Sequence, residues 1–593
     1  MTLTDIWRSN IYEISKWFKP NEKEPFNIVL VDIQKTAEEN RVCCEEVELL
    51  GGLLVDYIAL SYRWGELDEQ FVPATDDYYA QITSFHLDDF YRLCRRMLNE
   101  PDLKEIKYVW VDAICIDQGD DHRKKAIIYR MTDIYLNATY IVAVPDLHKE
   151  SLITVSNSDK RMYEQVQNNR WYIYHFIHEN IEDLYRLDDD WRYMLNNPSD
   201  DTRQAYNMKI RRGRFLLDSE EKEIEAWDIL SKEDPKDKDD HNQQEWITKY
   251  KTITEKLLEE NRQERIRDAI HHLQDLFRDW ANRAWVISEY SIAKEKNDGE
   301  MKYWFIHLDK EDDFYGKPFF TLDFHQPHES YSYDRFHWCF DYFKQYHNMM
   351  IESTVKRPFL EMILNSRATK NEDRFHAILP LSPKYHKIKT SKDTISRWHI
   401  SNMKSVKLKL YEILDTEDKL QLLLSCARES HTLLPTFAST SNSCPDTFRL
   451  FASVVSFRLM MINFDLSDPS AIHFGFSHCG NYRGPCLHLR PIKYYVHEHF
   501  GSLLQDRDEV KRYSRVIKEL GIETLDASFK FVTISSFCSN DEVDITGASY
   551  KDLVIPLFGS MDKNVWIVCP LDRQDKRRPR WSHYNKDYVF RVY

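Results

Sequence analysis

Between Tyr57 and Val144 short apolar runs alternate with amphipathic stretches, and this alternation limits the fold more than any other feature of the chain. Tyr57-Ile-Ala-Leu-Ser-Tyr62 reads as a buried strand. Leu87 to Leu98 comes next as a helix with Phe90, Leu93, Cys94 and Met97 on one face. Tyr108 to Ile116 is a nearly unbroken apolar run, as expected of a strand covered on both faces. Asp120 or Asp121 can cap the next helix, whose Ile127, Met131, Ile134 and Ala138 share a stripe. Tyr140 to Val144 then forms a strand stopped by Pro145, and Phe26 to Ile33 adds an earlier one rich in β-branched residues. Strands that alternate with helices pair in parallel, because each crossover returns the chain across the sheet. The fold class is therefore α/β. The carboxyl ends at Ser61, at Asp112 to Gln118 and at Val144 are expected along one rim, where open α/β sheets bind ligands.

Those strand ends carry unusual residues. Ser61-Tyr62-Arg63-Trp64-Gly65 ends the first run, Trp110-Val-Asp-Ala-Ile-Cys-Ile-Asp-Gln118 ends the second, and Arg283-Ala-Trp-Val-Ile-Ser-Glu289 comes much later. Together with Met131-Thr-Asp-Ile-Tyr-Leu-Asn-Ala138, these stretches resemble, in order, the motifs of the fungal heterokaryon-incompatibility (HET) domain. Ser366 to Leu381 is similar to the R-A-T-x-x-x-D segment that often follows that domain. The chain departs from the family at Asp117, where Asn is usual, and at Ser288, where Gln is usual. It also has Arg123-Lys124-Lys125 where an E-R pair is common.

The HET family is itself similar to Toll/interleukin-receptor (TIR) domains, which implies a TIR- or flavodoxin-like parallel sheet. Ser61-Tyr62-Arg63, Val111-Asp112 and Trp285 to Glu289 match TIR stretches, with Val286 in place of a Cys. The resemblance implies Glu289 as a catalytic acid that cleaves the nicotinamide–ribose bond of NAD. NAD would be a substrate, with no tightly bound cofactor. Departure of nicotinamide leaves positive charge on the ribose, which a neighbouring carboxylate stabilises. Ser61, Tyr62, Arg63, Trp64, Gly65, Asp112, Asp117 and Trp285 are the residues expected to hold the nucleotide. Arg63 can take a diphosphate bidentately, Gly65 lets the backbone approach it, and Trp285 shares a helical face with Glu289. A bland reading stands beside each: Glu289 favours a helix start, the tryptophans are core, and Arg63 bridges to Asp112 or Asp117. Subunit assembly completes TIR-type pockets, so self-association is implied. The rival reading is a non-enzymatic signalling scaffold that acts through homotypic assembly and recruits an unknown protein partner.

The chain of 593 residues is too long for one core. A net charge of −16 argues against nucleic acid as a partner. No apolar run reaches the roughly 20 residues that span a bilayer. The eleven cysteines lack C-x-x-C spacing and are expected to be reduced thiols of a cytoplasmic protein. The expected organisation is an amphipathic segment over 1–25 and a HET domain over 26–295. Its core comprises 26–147 and 281–295, and a helical, charged insertion fills 148–280. A follower over 296–400 and a mixed α/β domain of unknown function over 401–593 complete the chain. Ser231 to Asp240 reads as a solvated linker, and Ile266, Ile270, Leu273, Phe277 and Trp280 as one face of a long helix. His473, His478, Cys479, Cys486, His488, His497 and His499 have zinc-capable side chains, but their spacings fit no standard site, so no metal is expected. The basic run from Arg573 to Arg580 reads as a solvated loop.

Overall fold

Backbone pairing joins the apolar runs of the first 150 residues to later segments in one seven-stranded sheet, as seen in a computed structural model. It describes residues 26–593 except 50–54, 65–68, 76–77, 129, 197–239, 297–298, 310–316, 325–336, 355–356, 389–391, 428–432, 439–460, 498–512, 514, 523–528, 539–552, 570–580 and 584–587. The amphipathic segment over 1–25, Gly65, the linker over 231–239, His499 and the basic run over 573–580 lie outside the described residues. The chain divides into two units. One holds Phe18–Ala281 and Glu289–Val355, the other Asn282–Ser288 and Lys356–Tyr593.

In the first unit the strands are β1 (Phe26–Asp32), β2 (Cys44–Leu49), β3 (Tyr57–Tyr62), β4 (Gln70–Pro73), β5 (Tyr79–Ile82), β6 (Tyr108–Trp110), β7 (Tyr140–Val144), β8 (Glu300–Tyr303) and β9 (Phe320–Asp323). The sheet order is β2-β1-β6-β3-β7-β8-β9, and β4 with β5 makes a separate hairpin. β6, β3, β7 and β8 are parallel. The all-parallel expectation needs correction at the edges. β1 is antiparallel to β2 and β6, and β9 is antiparallel to β8. β2 and β9 each return beside the strand that precedes them in the chain, which favours antiparallel pairing. All six residues of β3 are buried, as a central strand covered on both faces requires.

Helix α1 (Ile33–Glu39) is capped by Asp32, whose carboxylate accepts from Lys35 N at 3.0 Å. Helix α2 (Leu87–Asn99) buries Phe90, Leu93, Cys94 and Met97, the face read from the sequence. The run from Tyr108 to Ile116 behaves differently from the expected strand. It stops at Trp110 and turns into the single helical turn α3 (Asp112–Cys115). Asp112 takes Ala113 N on its own carboxylate at 2.8 Å, a local bond that competes with the sheet ladder. Cys115 is thus a buried helical thiol, not a strand residue.

Helices α4 (Asp121–Ile128) and α5 (Met131–Asn137) lead into β7. The insertion is helical where described: α6 (Lys149–Val155), α7 (Asn157–Asn168), α8 (Arg170–Ile177), α9 (Ile181–Asn196) and the long α10 (Asp240–Ala281). Ile266, Ile270, Leu273, Phe277 and Trp280 of α10 are buried, as their spacing predicts. Helix α11 (Ala284–Lys294) contributes its residues from Glu289 onward to this unit.

The second unit contains helices Met403–Ile413 and Thr416–Cys426 and a mixed eight-stranded sheet. Phe529–Ser535 is one of its strands, and Phe529, Phe531, Phe558 and Val516 pack in its core.

Candidate active site at the carboxyl ends of the parallel strands

Ser61 and Ala143 are register partners near the ends of β3 and β7. The chain leaves β3 for β6 on one side and leaves β7 for β8 on the other, the topological position at which open α/β sheets take ligands. Ser61 is 1% exposed, and its hydroxyl donates to a Glu289 carboxylate oxygen. The Trp280 indole donates to the same hydroxyl at 3.0 Å. Tyr135 of α5 also reaches this group. Its hydroxyl bonds the Leu60 carbonyl at 2.9 Å and also interacts with Glu289. Burial, then the Glu289 charge, pushes the Tyr135 phenol well above its usual range, so it stays a proton donor. Glu289 is 6% exposed.

Beside this group stands a second one centred on Asp112. Its carboxylate accepts from the Tyr62 hydroxyl, the Trp64 indole and Ala113 N. Tyr62 packs edge-on against Phe85 with ring centroids 5.4 Å apart. One aspartate thus fixes the two aromatic residues that flank Arg63. Burial first, and the Asp112 charge second, raise the Tyr62 phenol far above 10.

Arg63 has partners outside the strand ends. Its guanidinium lies 2.9 Å from an Asp279 carboxylate oxygen on α10 and donates to His148 Nε2 at 3.0 Å. Asp117 serves a turn instead, accepting from Gly119 N at 2.9 Å and Asp120 N at 3.3 Å. Trp285 belongs to the other unit, where its indole bonds the Asp373 carboxyl. The Arg283 and Arg367 backbones form a bridge there, so the Arg283 stretch and the Ser366 follower meet directly. The structure therefore brings Ser61, Tyr62, Arg63, Trp64, Asp112 and Glu289 into one unit's bonded groups, and gives Asp117 and Trp285 other partners.

Four participants escaped the sequence reading: Tyr135, His148, Asp279 and Trp280. Tyr135 lies in the Met131–Ala138 stretch and Trp280 on the apolar face of α10, so both carried a trace. His148 and Asp279 carried none. Asp146, past the end of β7, is buried and accepts from Ile306 N at 3.0 Å, His307 N at 2.9 Å and His307 Nδ1 at 2.7 Å. It ties the carboxyl ends of β7 and β8 together. Among the described residues no group of three or more His, Cys, Asp or Glu side chains is placed to hold a metal ion. His473 and His488 face each other across two paired strands of the second unit, with ring centroids 5.9 Å apart.

Residues 57–208 match the family model of the heterokaryon incompatibility protein (HET). Over this span the chain is similar to the HET domain. The matched span opens with the first residue of β3 and includes the Ser61 corner, Asp112, Tyr135 and His148, whereas Asp279, Trp280 and Glu289 lie beyond it. Comparison with curated proteins and with solved structures gave no match. Among the described residues no helix is long and apolar enough to cross a membrane.

Proposed function

We propose that the protein is an effector of fungal self/non-self recognition whose HET domain promotes growth arrest or cell death by cleaving NAD. The observation that carries this reading is the hydrogen bond between Ser61 and Glu289, which puts a carboxylate at the strand ends where α/β sheets bind nucleotides. In the reaction the bond from ribose C1′ to the nicotinamide nitrogen breaks and its electron pair leaves with neutral nicotinamide. Glu289 stabilises the cationic ribose. Water then bonds to C1′ and loses a proton, giving ADP-ribose. Ser61 to Trp64 form the ribose and phosphate corner, with Asp112 holding Tyr62 and Trp64 in place.

In the described state Glu289 is buried and Arg63 is engaged by Asp279 and His148. On this reading it is a resting state, and self-association opens the corner to substrate. The protein acts in the cytoplasm, in keeping with free thiols at Cys43, Cys44, Cys94 and Cys115. Incubation of the purified full chain with NAD, with nicotinamide release as readout, tests the reading.

The same burial and ion pairing favour a second reading, a non-enzymatic signalling module that assembles with copies of itself and recruits a partner. Assembly without NAD turnover would select it.

A further inference from the structure

A cleft of about 230 Å³ in the unit that carries the HET-like span shares no lining residue with the Ser61–Glu289 group. Glu100, His178, Lys302, Lys317, Phe320 and Thr321 line it. Glu100 lies just past α2 and is 1% exposed. One of its carboxylate oxygens accepts from Lys302 Nζ at 2.8 Å, and the same ammonium lies 2.7 Å from Asp102. The other oxygen, Oε2, is buried and has no hydrogen-bond partner among the described residues. A buried carboxylate oxygen without a donor is costly, so something of complementary chemistry is missing from it.

His178 supplies a second unmatched acceptor. Its ring lies 4.4 Å from Tyr174 and 4.6 Å from Phe320, centroid to centroid. Burial brings its pKa down to about 4, so the imidazole is neutral at pH 7. The ring donates to the Lys317 carbonyl, while Nε2 is buried without a partner among the described residues. A neutral ring that donates through Nδ1 carries a lone pair at Nε2. Glu179, which also lines the cleft, holds φ at 56°, a left-handed conformation that usually selects Gly at a helix end. An acid is kept there against backbone preference.

The two unmatched atoms therefore call for donors, and a protonated amine brings three. Within the cleft and its ion pairs, the carboxylates of Glu100 and Asp102 stand against the Lys302 ammonium, so the floor favours a cation. Phe320 offers it an aromatic face. Lys317 and Thr321 are exposed, placing a positive charge at the mouth. We propose that this cleft binds a small molecule through its ammonium group, of the free α-amino acid class, with the amine on Glu100 and His178 and the carboxylate toward Lys317. This site is independent of the NAD reading and makes the effector responsive to a small metabolite.

Calorimetric titration of the full chain with glycine, L-leucine and L-arginine tests the proposal, with propylamine and propionate as single-charge controls. The expected result is saturable binding of at least one amino acid, weaker binding of propylamine and none of propionate. Glu100→Gln should weaken binding about tenfold or more, the usual effect of losing a charged hydrogen bond. Thr321→Trp, at an exposed position that fills the mouth, should abolish binding while leaving the thermal unfolding of the free protein unchanged. That second variant decides the matter if Glu100→Gln fails to fold. Failure of every amino acid and of propylamine to bind would overturn the proposal, as would undiminished binding by Thr321→Trp.

Discussion

Glu289 and Ser61 lie 228 positions apart and share a hydrogen bond at the end of β3, on a hydroxyl that also accepts from Trp280. The bond closes the sheet's carboxyl rim with residues from beyond the helical insertion. Each partner is buried, so each depends on the others for a match.

Ser61→Ala leaves both the Trp280 indole and a Glu289 oxygen without their shared partner. Loss of one such group typically costs 1–3 kcal/mol, and about 2 kcal/mol is expected here. Urea unfolding should show this as a lowered midpoint with an unchanged slope.

Asp112 is the more consequential of the two aspartates near the corner. Asp112→Ala removes the acceptor for Tyr62, Trp64 and Ala113 N at once and should cost about 3 kcal/mol. Asp117→Ala, which loses only turn bonds, should cost about 1 kcal/mol. Near-ultraviolet circular dichroism should change for the first variant alone, because Trp64 and Tyr62 lose their anchor.

His178 and His272 are both held at a pKa of about 4, in each case first by burial. Their folded values lie below the ordinary 6.5. The stability they contribute is therefore full above pH 6.5 and is lost as pH falls toward 4. The unfolding free energy of the wild type, measured by urea titration, should fall across that interval by on the order of 2 kcal/mol per histidine. His272→Phe should flatten its share of the slope.

Asp373 shifts in the opposite sense, up to about 6, chiefly through burial. Its contribution is full below pH 4 and is lost as pH rises through 6. Asp373→Asn keeps an acceptor for Trp285 and removes the buried charge. It should match the wild type at pH 4 and exceed it by about 1–2 kcal/mol at pH 7, measured by urea unfolding.

How far the sequence could carry the fold depended on which elements are set locally. The helix from Leu87 and the strand from Tyr140 were legible because their periodicity and stop residues are local. The apolar run from Tyr108 was not, since such a run fits a strand or a buried helical turn equally, and Asp112 decides between them through its own carboxylate. The antiparallel edges depend on tertiary pairing that no window of sequence contains. At the site, Ser61 and Glu289 could be named from motif residues. Arg63's partner could not, because Asp279 lies at the far end of the insertion, in the last turn of α10, where nothing local marks it.

Nicotinamide release by the purified full chain, measured together with its sedimentation, tests the central claim most directly. Assembled wild-type protein should release nicotinamide from NAD, and Glu289→Gln should sediment identically while turning over about 100-fold more slowly. Equal release by the two proteins, or none from assembled wild type, would contradict the account.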